Sequence, residues 1–172
     1  MTDNIATLIP LADVDTALVE ALLDRAFGED RHKRTAYKVR EGTEWLAALS
    51  FAVIDDEEML VGSIQVWPVA LTDEQGRRHP MLMVGPVAVV PERHNEGFGQ
   101  ALMAAMASAL DPQALLPQVL IGDPDYYGRF GFHGAPTQGW ALPGPYEKHR
   151  LLVRTDNPGI LPDKGTLGPW IG

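Results

Sequence analysis

A chain of 172 residues, 45% hydrophobic and 22% charged, has the length and composition of one globular domain, and we read residues 1–172 as a single domain. A formal net charge of −9 and the absence of cysteine exclude several classes: nucleic-acid binding wants a positive surface, and disulfides, thiolate–zinc sites and thiol nucleophiles need cysteine. The five scattered histidines show no metal-ligand spacing, no apolar run is long enough to span a bilayer, and the N-terminus lacks the order of a signal peptide, so the expectation is a cytoplasmic protein with no metal, nucleic-acid or membrane partner.

Ile5 to Leu11 has the length of a short edge strand. Asp13 or Asp15 can cap a helix whose inward face carries Leu18, Val19, Leu22, Leu23 and Ala26, and Gly28 ends it. Asp30 to Lys38 is basic and polar, with room for a short second helix, and Gly42 to Leu49 is a connector or another short helix. The period then changes. Phe51 to Ile54, Met59 to Leu71 and Pro80 to Val90 read as three strands, joined by charged turns at Asp55–Glu58 and Thr72–Arg78. Such short turns imply an antiparallel meander.

Helix resumes from Gly97 to Leu110, with Ala101, Leu102, Ala105, Met106 and Ala109 facing inward, and Asp111-Pro112 stops it. Gln118 to Gly122 is a short buried strand, parallel to the strand before the helix because a crossover joins them. Asp123-Pro124 opens a short helix that closes at Gly131. In the Pro- and Gly-rich remainder only His149 to Arg154 reads as a strand. The fold class is therefore α/β (α+β), a mixed, mainly antiparallel sheet with helices on both faces.

The chemistry concentrates at Val87–Gln100, where a strand passes through a loop into a helix N-terminus. The unpaired N–H groups and positive dipole end of such a terminus bind anions, and Gly97 and Gly99 let phosphate oxygens approach the backbone. A dinucleotide fold wants a third glycine where Leu102 stands, and a triphosphate loop wants Gly-Lys-Ser/Thr, which is absent. Val89-Val90-Pro91 followed by His94-Asn95-Glu96-Gly97-Phe98-Gly99 resembles the Val-x-Pro and Gln/Arg-x-x-Gly-x-Gly/Ala signature of the Gcn5-related N-acetyltransferase (GNAT) superfamily, with His94 in place of the usual glutamine or arginine. Downstream, Asp123-Pro124-Asp125-Tyr126-Tyr127-Gly128-Arg129-Phe130-Gly131-Phe132 is similar to the Tyr-x-x-x-Gly-Phe element of that superfamily, and especially similar to that of small predicted bacterial acetyltransferases carrying Gly-Asp-Pro-x-Tyr-Tyr-x-Arg-Phe-Gly-Phe.

The resemblance implies a GNAT fold in which the strands Val84–Val90 and Gln118–Gly122 splay apart. It also implies acetyl-CoA as co-substrate, held by the backbone of Val87 and Val89, by the loop His94, Asn95, Glu96, Gly97, Phe98 and Gly99, and by Tyr127. In the catalytic roles it implies, the Val89 N–H faces the thioester oxygen and Tyr127 is the general acid, with Tyr126 as the alternative. The implied reaction is direct transfer of an acetyl group to a primary amine on a small molecule or peptide. No general base stands out; Asp123 reads as an N-cap, and a water chain serves instead. Arg93 has the charge to reach a phosphate, and Trp67, Trp140 and Tyr146 are candidates to wall an acceptor pocket. A non-catalytic acyl-CoA-binding or sensing domain of the same fold, favoured by His94 and Glu96, is the alternative. A longer acyl group and a purely structural domain also stay open, and a homodimer is an expectation by family analogy. Acceptor specificity is expected in Asp30–Trp45 and Gly134–Arg150, where no motif is readable.

Overall fold

A computed structural model describes residues 6–171. Its strands are β1 (Thr7–Pro10), β2 (Phe51–Ile54), β3 (Leu60–Thr72), β4 (Arg78–Val89), β5 (Gln118–Ile121), β6 (Trp140–Ala141), β7 (Leu151–Arg154) and β8 (Gly165–Pro169). Its α-helices are α1 (Thr16–Phe27), α2 (Thr35–Val39), α3 (Phe98–Ala109) and α4 (Pro124–Tyr127). The strands form one eight-stranded, mostly antiparallel sheet in the order β1-β2-β3-β4-β5-β7, with β8 pairing β3 and β6. The chain divides into two compact units, and β3 and β4 contribute residues to each.

The first unit comprises residues 6–32, 45–66 and 86–112. Asp15 caps α1 by accepting from the Ala17 N–H at 3.0 Å, and Gly28, at φ +92°, ends it. Val19, Leu22 and Leu23 are buried. Leu18 is 56% exposed rather than inward. It shares a face with Leu22, four residues on, but lies in the first turn, where the helix end is left to solvent. β2 pairs antiparallel with β1 and with β3. Ile5, included in the expected first strand, lies outside the described residues.

The inward face of α3 is Phe98, Leu102, Met103 and Met106, whereas Ala101 and Ala109 are exposed. The larger side chains take the core face because burying them removes more apolar area from water. Close packing comes from the strand side: a Cβ on Gly62 of β3 would stand 3.2 Å from Leu102 Cδ1 and 3.3 Å from the Ala88 carbonyl.

The second unit comprises residues 33–44, 67–85 and 113–171. Its core gathers Val39, Val69, Leu71, Met81, Met83, Val119, Trp140, Leu151, Val153 and Leu167. β4 and β5 are parallel, as the crossover rule requires, and pair at Leu82↔Gln118 and Met83↔Val119. β5 continues to Ile121 in antiparallel register with β7. The C-terminal region holds more strand than its composition suggested. β8 pairs with β3 from Val69↔Pro169 to Thr72↔Thr166, and β6 pairs in parallel with β8. Gly165 fits there because a Cβ would meet the Thr72 carbonyl at 2.7 Å. Proline and glycine at such a sheet margin obscure strand character in sequence.

Candidate functional site

Successive N–H groups of a strand point to alternate edges. The Leu82 N–H of β4 donates to the Pro117 carbonyl at 2.9 Å, on the β5 side. Unbroken alternation would send the Val90 N–H the same way, yet it donates to the Val61 carbonyl of β3 at 2.9 Å. The strand therefore changes side once, and Gly85, with φ +127°, is the residue in that interval with positive φ. After the change, the N–H groups of Val87 and Val89 point to the edge of β4 away from β3.

From Val90 the chain makes a 3₁₀ turn, Pro91–Glu96, and reaches Gly97 in the left-handed region at φ +82°. Gly97 is the N-cap of the twelve-residue α3 and has no side chain with which to cap it. The helix itself offers no acceptor to its first-turn N–H groups, so Phe98, Gly99 and Gln100 present donors at the positive end of the dipole. A bulkier residue at Gly97 would be strained by its φ, although nothing lies within 4 Å of a Cβ there.

The charged side chains around this terminus neutralise one another. Arg93 holds Glu96 with two bonds, Nε–Oε2 at 2.6 Å and Nη2–Oε1 at 2.9 Å. Its Nη1 reaches Asp55 at 2.9 Å, and the guanidinium carbon lies 5.0 Å from the Phe98 ring centroid. Arg93 is raised well above its ordinary pKa, chiefly by the hydrogen bond to Glu96. Asp55 is held below the ordinary carboxylate range, first by the Met59 N–H and then by the Glu57 N–H and Arg93, against the opposing effect of burial. Arg93 is thus committed to two carboxylates, and Glu96 does not face the loop as an unbalanced charge. Glu92 is likewise paired, with Arg25 of α1 at 2.8 Å.

His94 Nε2 lies 3.1 Å from the Val89 carbonyl. A carbonyl only accepts, so Nε2 is the protonated nitrogen and the histidine ties the loop back to the strand end. The structure accordingly brings Val87, Val89 and residues His94–Gly99 onto one strand–turn–helix unit, with Asn95 exposed.

Tyr127 belongs to the second unit. Asp123 caps α4 by accepting from the Asp125 N–H at 2.9 Å, and Gly131, at φ +87°, ends the following turn. The Tyr127 ring lies on Gly122: a Cβ there would be 2.5 Å from Cε2 and 2.8 Å from Cδ2. Tyr126 meets it edge-on at 4.9 Å between centroids, and Phe130 and Phe132 stand at 6.4 Å. Burial, with smaller contributions from Tyr126 and Asp123 against an opposing one from Arg150, pushes the phenol up to about 12. It therefore keeps its proton throughout the neutral range, as a proton donor must. Tyr126, by contrast, packs on the Arg129 guanidinium at 4.6 Å.

The three aromatic candidates for an acceptor wall belong to the core of the second unit, Trp67 and Tyr146 packing against the cluster that contains Trp140. Trp140 is fully buried, with Nε1 donating to the Pro162 carbonyl at 2.8 Å, and Tyr146 donates to the Trp140 carbonyl at 2.7 Å. Trp67 is half-buried and donates to the Gly85 carbonyl at 2.9 Å. Beside it is a residue that sequence reading did not single out: Arg40, 5% exposed, which donates to the same carbonyl at 3.1 Å. Among the described residues no cluster of three or more His, Asp or Glu could hold a metal, and no helix is long and apolar enough to cross a membrane.

The strand–turn–helix unit leads into a helix terminus with no side-chain cap, whose main-chain donors suit an anion, and comparison with known proteins identifies the class. Residues 8–135 match the family described as Acetyltransferase (GNAT) domain, so the chain belongs to the GNAT acetyltransferases. It is 29% identical over 119 residues to an uncharacterized N-acetyltransferase, YhbS, of Escherichia coli K12, covering 69% of this chain and 68% of that one. The fold is similar to the crystal structure of E. coli YhbS in complex with CoA, with a TM-score of 0.76, 24% identity, and coverage of 99% of this chain and 92% of that one. It is also similar to a GNAT family acetyltransferase from Brucella melitensis in complex with acetyl-CoA, with a TM-score of 0.64, 22% identity, and coverage of 98% and 97%.

Proposed function

We propose that residues 1–172 act as one N-acetyltransferase domain that moves an acetyl group from acetyl-CoA to a primary amine on a small molecule or peptide. The observation that carries this reading is the uncapped N-terminus of α3 behind Gly97, with Glu96 neutralised by Arg93. These residues suit a diphosphate: main-chain donors converge at a helix end, no side chain fills the cap, and the nearest carboxylate is paired. The relatives crystallised with CoA and acetyl-CoA support the same choice of co-substrate.

Acetyl-CoA would supply an acetyl group activated as a thioester. In this reading the N–H groups of Phe98, Gly99 and Gln100 bind the diphosphate, and His94 keeps the loop against the strand end. Val87 and Val89 hold the pantetheine arm through main-chain atoms. The Val89 N–H donates to the carbonyl oxygen on which negative charge grows as the amine attacks. Tyr127 gives its proton to the departing sulfur, and the proton that the amine loses passes through water and restores the phenol. The experiment is a panel of amines, peptides and aminoglycosides with acetyl-CoA, read by release of free thiol. Thiol release dependent on an amine supports the transferase. A melting temperature raised by acetyl-CoA without release for any amine would instead identify a binding domain, and a melting temperature unmoved by saturating acetyl-CoA would overturn both readings.

A further inference from the structure

We propose that Arg40 and Trp67 are positioning residues that grip the Gly85 carbonyl and thereby fix the change of side in β4 that aims the Val89 N–H. The proposal rests on the assignment of Val89 as the thioester-facing donor. The peptide joining Gly85 to Pro86 has no N–H, because residue 86 is proline. Its carbonyl is the only polar main-chain handle by which that peptide can be oriented. Both side chains take hold of it, Trp67 through Nε1 at 2.9 Å and Arg40 through Nη1 at 3.1 Å.

The grip is itself rigid. The Arg40 guanidinium carbon lies 4.1 Å from the Tyr37 ring centroid and 4.1 Å from that of Trp67, so the cation is stacked between two rings. Trp67 both stacks on Arg40 and shares its acceptor. A nearly buried guanidinium held in this way resists rotation, since turning it away would strand N–H donors out of water. Gly85 lies inside β4, yet its φ of +127° is a conformation that regular strand geometry does not enforce. The two donors do so instead. Val87 and Val89 follow within four residues, and their orientation is inherited from that peptide.

The test compares CoA with acetyl-CoA, since both carry the pantetheine arm and only acetyl-CoA has the thioester carbonyl that the Val89 N–H would meet. Trp67→Phe keeps a ring for stacking and removes the donor; Arg40→Met removes the cation, and Arg40→Lys keeps charge without the planar fork. By titration calorimetry, Trp67→Phe should weaken acetyl-CoA about fivefold more than it weakens CoA, the size of one neutral hydrogen bond to the thioester oxygen. Arg40→Met should do the same, Arg40→Lys should restore little, and the double variant should lose less than the product of the singles because both act on one carbonyl. Should Arg40→Met fail to fold, Trp67→Phe carries the test. If Trp67→Phe leaves both affinities unchanged, or weakens CoA and acetyl-CoA equally, the positioning role is overturned while the acetyltransferase reading stands. If the unaltered protein binds neither ligand, both fall together.

Discussion

The loop before α3 and the tyrosine after β5 are held by opposite means. The loop is exposed and polar: Arg93 balances Asp55 and Glu96, Arg25 balances Glu92, and His94 pins the turn to the strand end. Tyr127 is packed among Tyr126, Phe130 and Phe132, its ring lies on a glycine, and its hydroxyl makes no hydrogen bond to any described residue. The first arrangement suits binding an anion that arrives with its own charge. The second suits holding a proton until a base of sufficient strength appears. Salt and acid should therefore act on the loop, and packing and alkali on the tyrosine.

The largest effect should come from the packed side. Tyr127→Phe keeps the ring on Gly122 and removes the proton, so kcat should fall about 100-fold with acetyl-CoA affinity nearly unchanged. A rate unchanged across pH would remove Tyr127 as the general acid. On the loop side, Arg93→Gln removes the cation paired with the Glu96 carboxylate next to the diphosphate donors. Binding of acetyl-CoA should weaken about tenfold at low salt and less at high salt, and Arg93→Gln with Glu96→Gln should recover most of it. An Arg93→Gln variant that binds normally would show that the pairing has no bearing on the anion.

The alkaline and acidic limbs sharpen the contrast further. Tyr127 has a folded-state pKa raised from 10.0 to about 12, so the native state keeps a proton that the unfolded state loses. Its contribution is complete below pH 10 and disappears as pH rises toward 12, worth roughly 2 to 3 kcal/mol. A phenolate absorbance titration should show a late ionisation step near pH 12, and Tyr127→Phe should abolish it. Asp55 has the opposite sign. Its folded pKa is lowered, so its contribution is present at neutral pH and lost as pH falls through the folded value. Acid should loosen the loop before it touches Tyr127. The smallest effect is expected for His94→Arg, which installs a fixed cation at the position where the superfamily often has one. Acetyl-CoA should bind about threefold tighter; weaker binding would mean that the bond to the Val89 carbonyl matters more than the charge.

Local pattern made much of this readable. β2, β3 and β4 carry β-branched residues between charged turns, and Gly97 with Gly99 marks a helix entry in any context. Tyr127 and Gly131 form a recognisable element. What sequence could not show is what depends on distant partners. Arg40 binds a main-chain carbonyl 45 positions away, and a carbonyl leaves no signature in residue type. Gly122 reads as the end of a strand until the Tyr127 ring is seen resting on it. Ala101 and Ala109 share the helical period of Ala105, but the choice of buried face belongs to Phe98 and Met103. The short strands β6 and β8 have no strand-like composition of their own, because their pairing partners supply the geometry.

The pairing of β8 with β3 also bears on how the protein is made. Val69 waits for Pro169, and Thr72 for Thr166, so about a hundred residues must be synthesised before that part of β3 gains its neighbour. Until then the Val69–Thr72 backbone is an open margin to which another nascent chain can add a strand. The second unit is therefore expected to reach its native pairing late during translation, and conditions that slow elongation should lengthen the interval in which aggregation competes with folding.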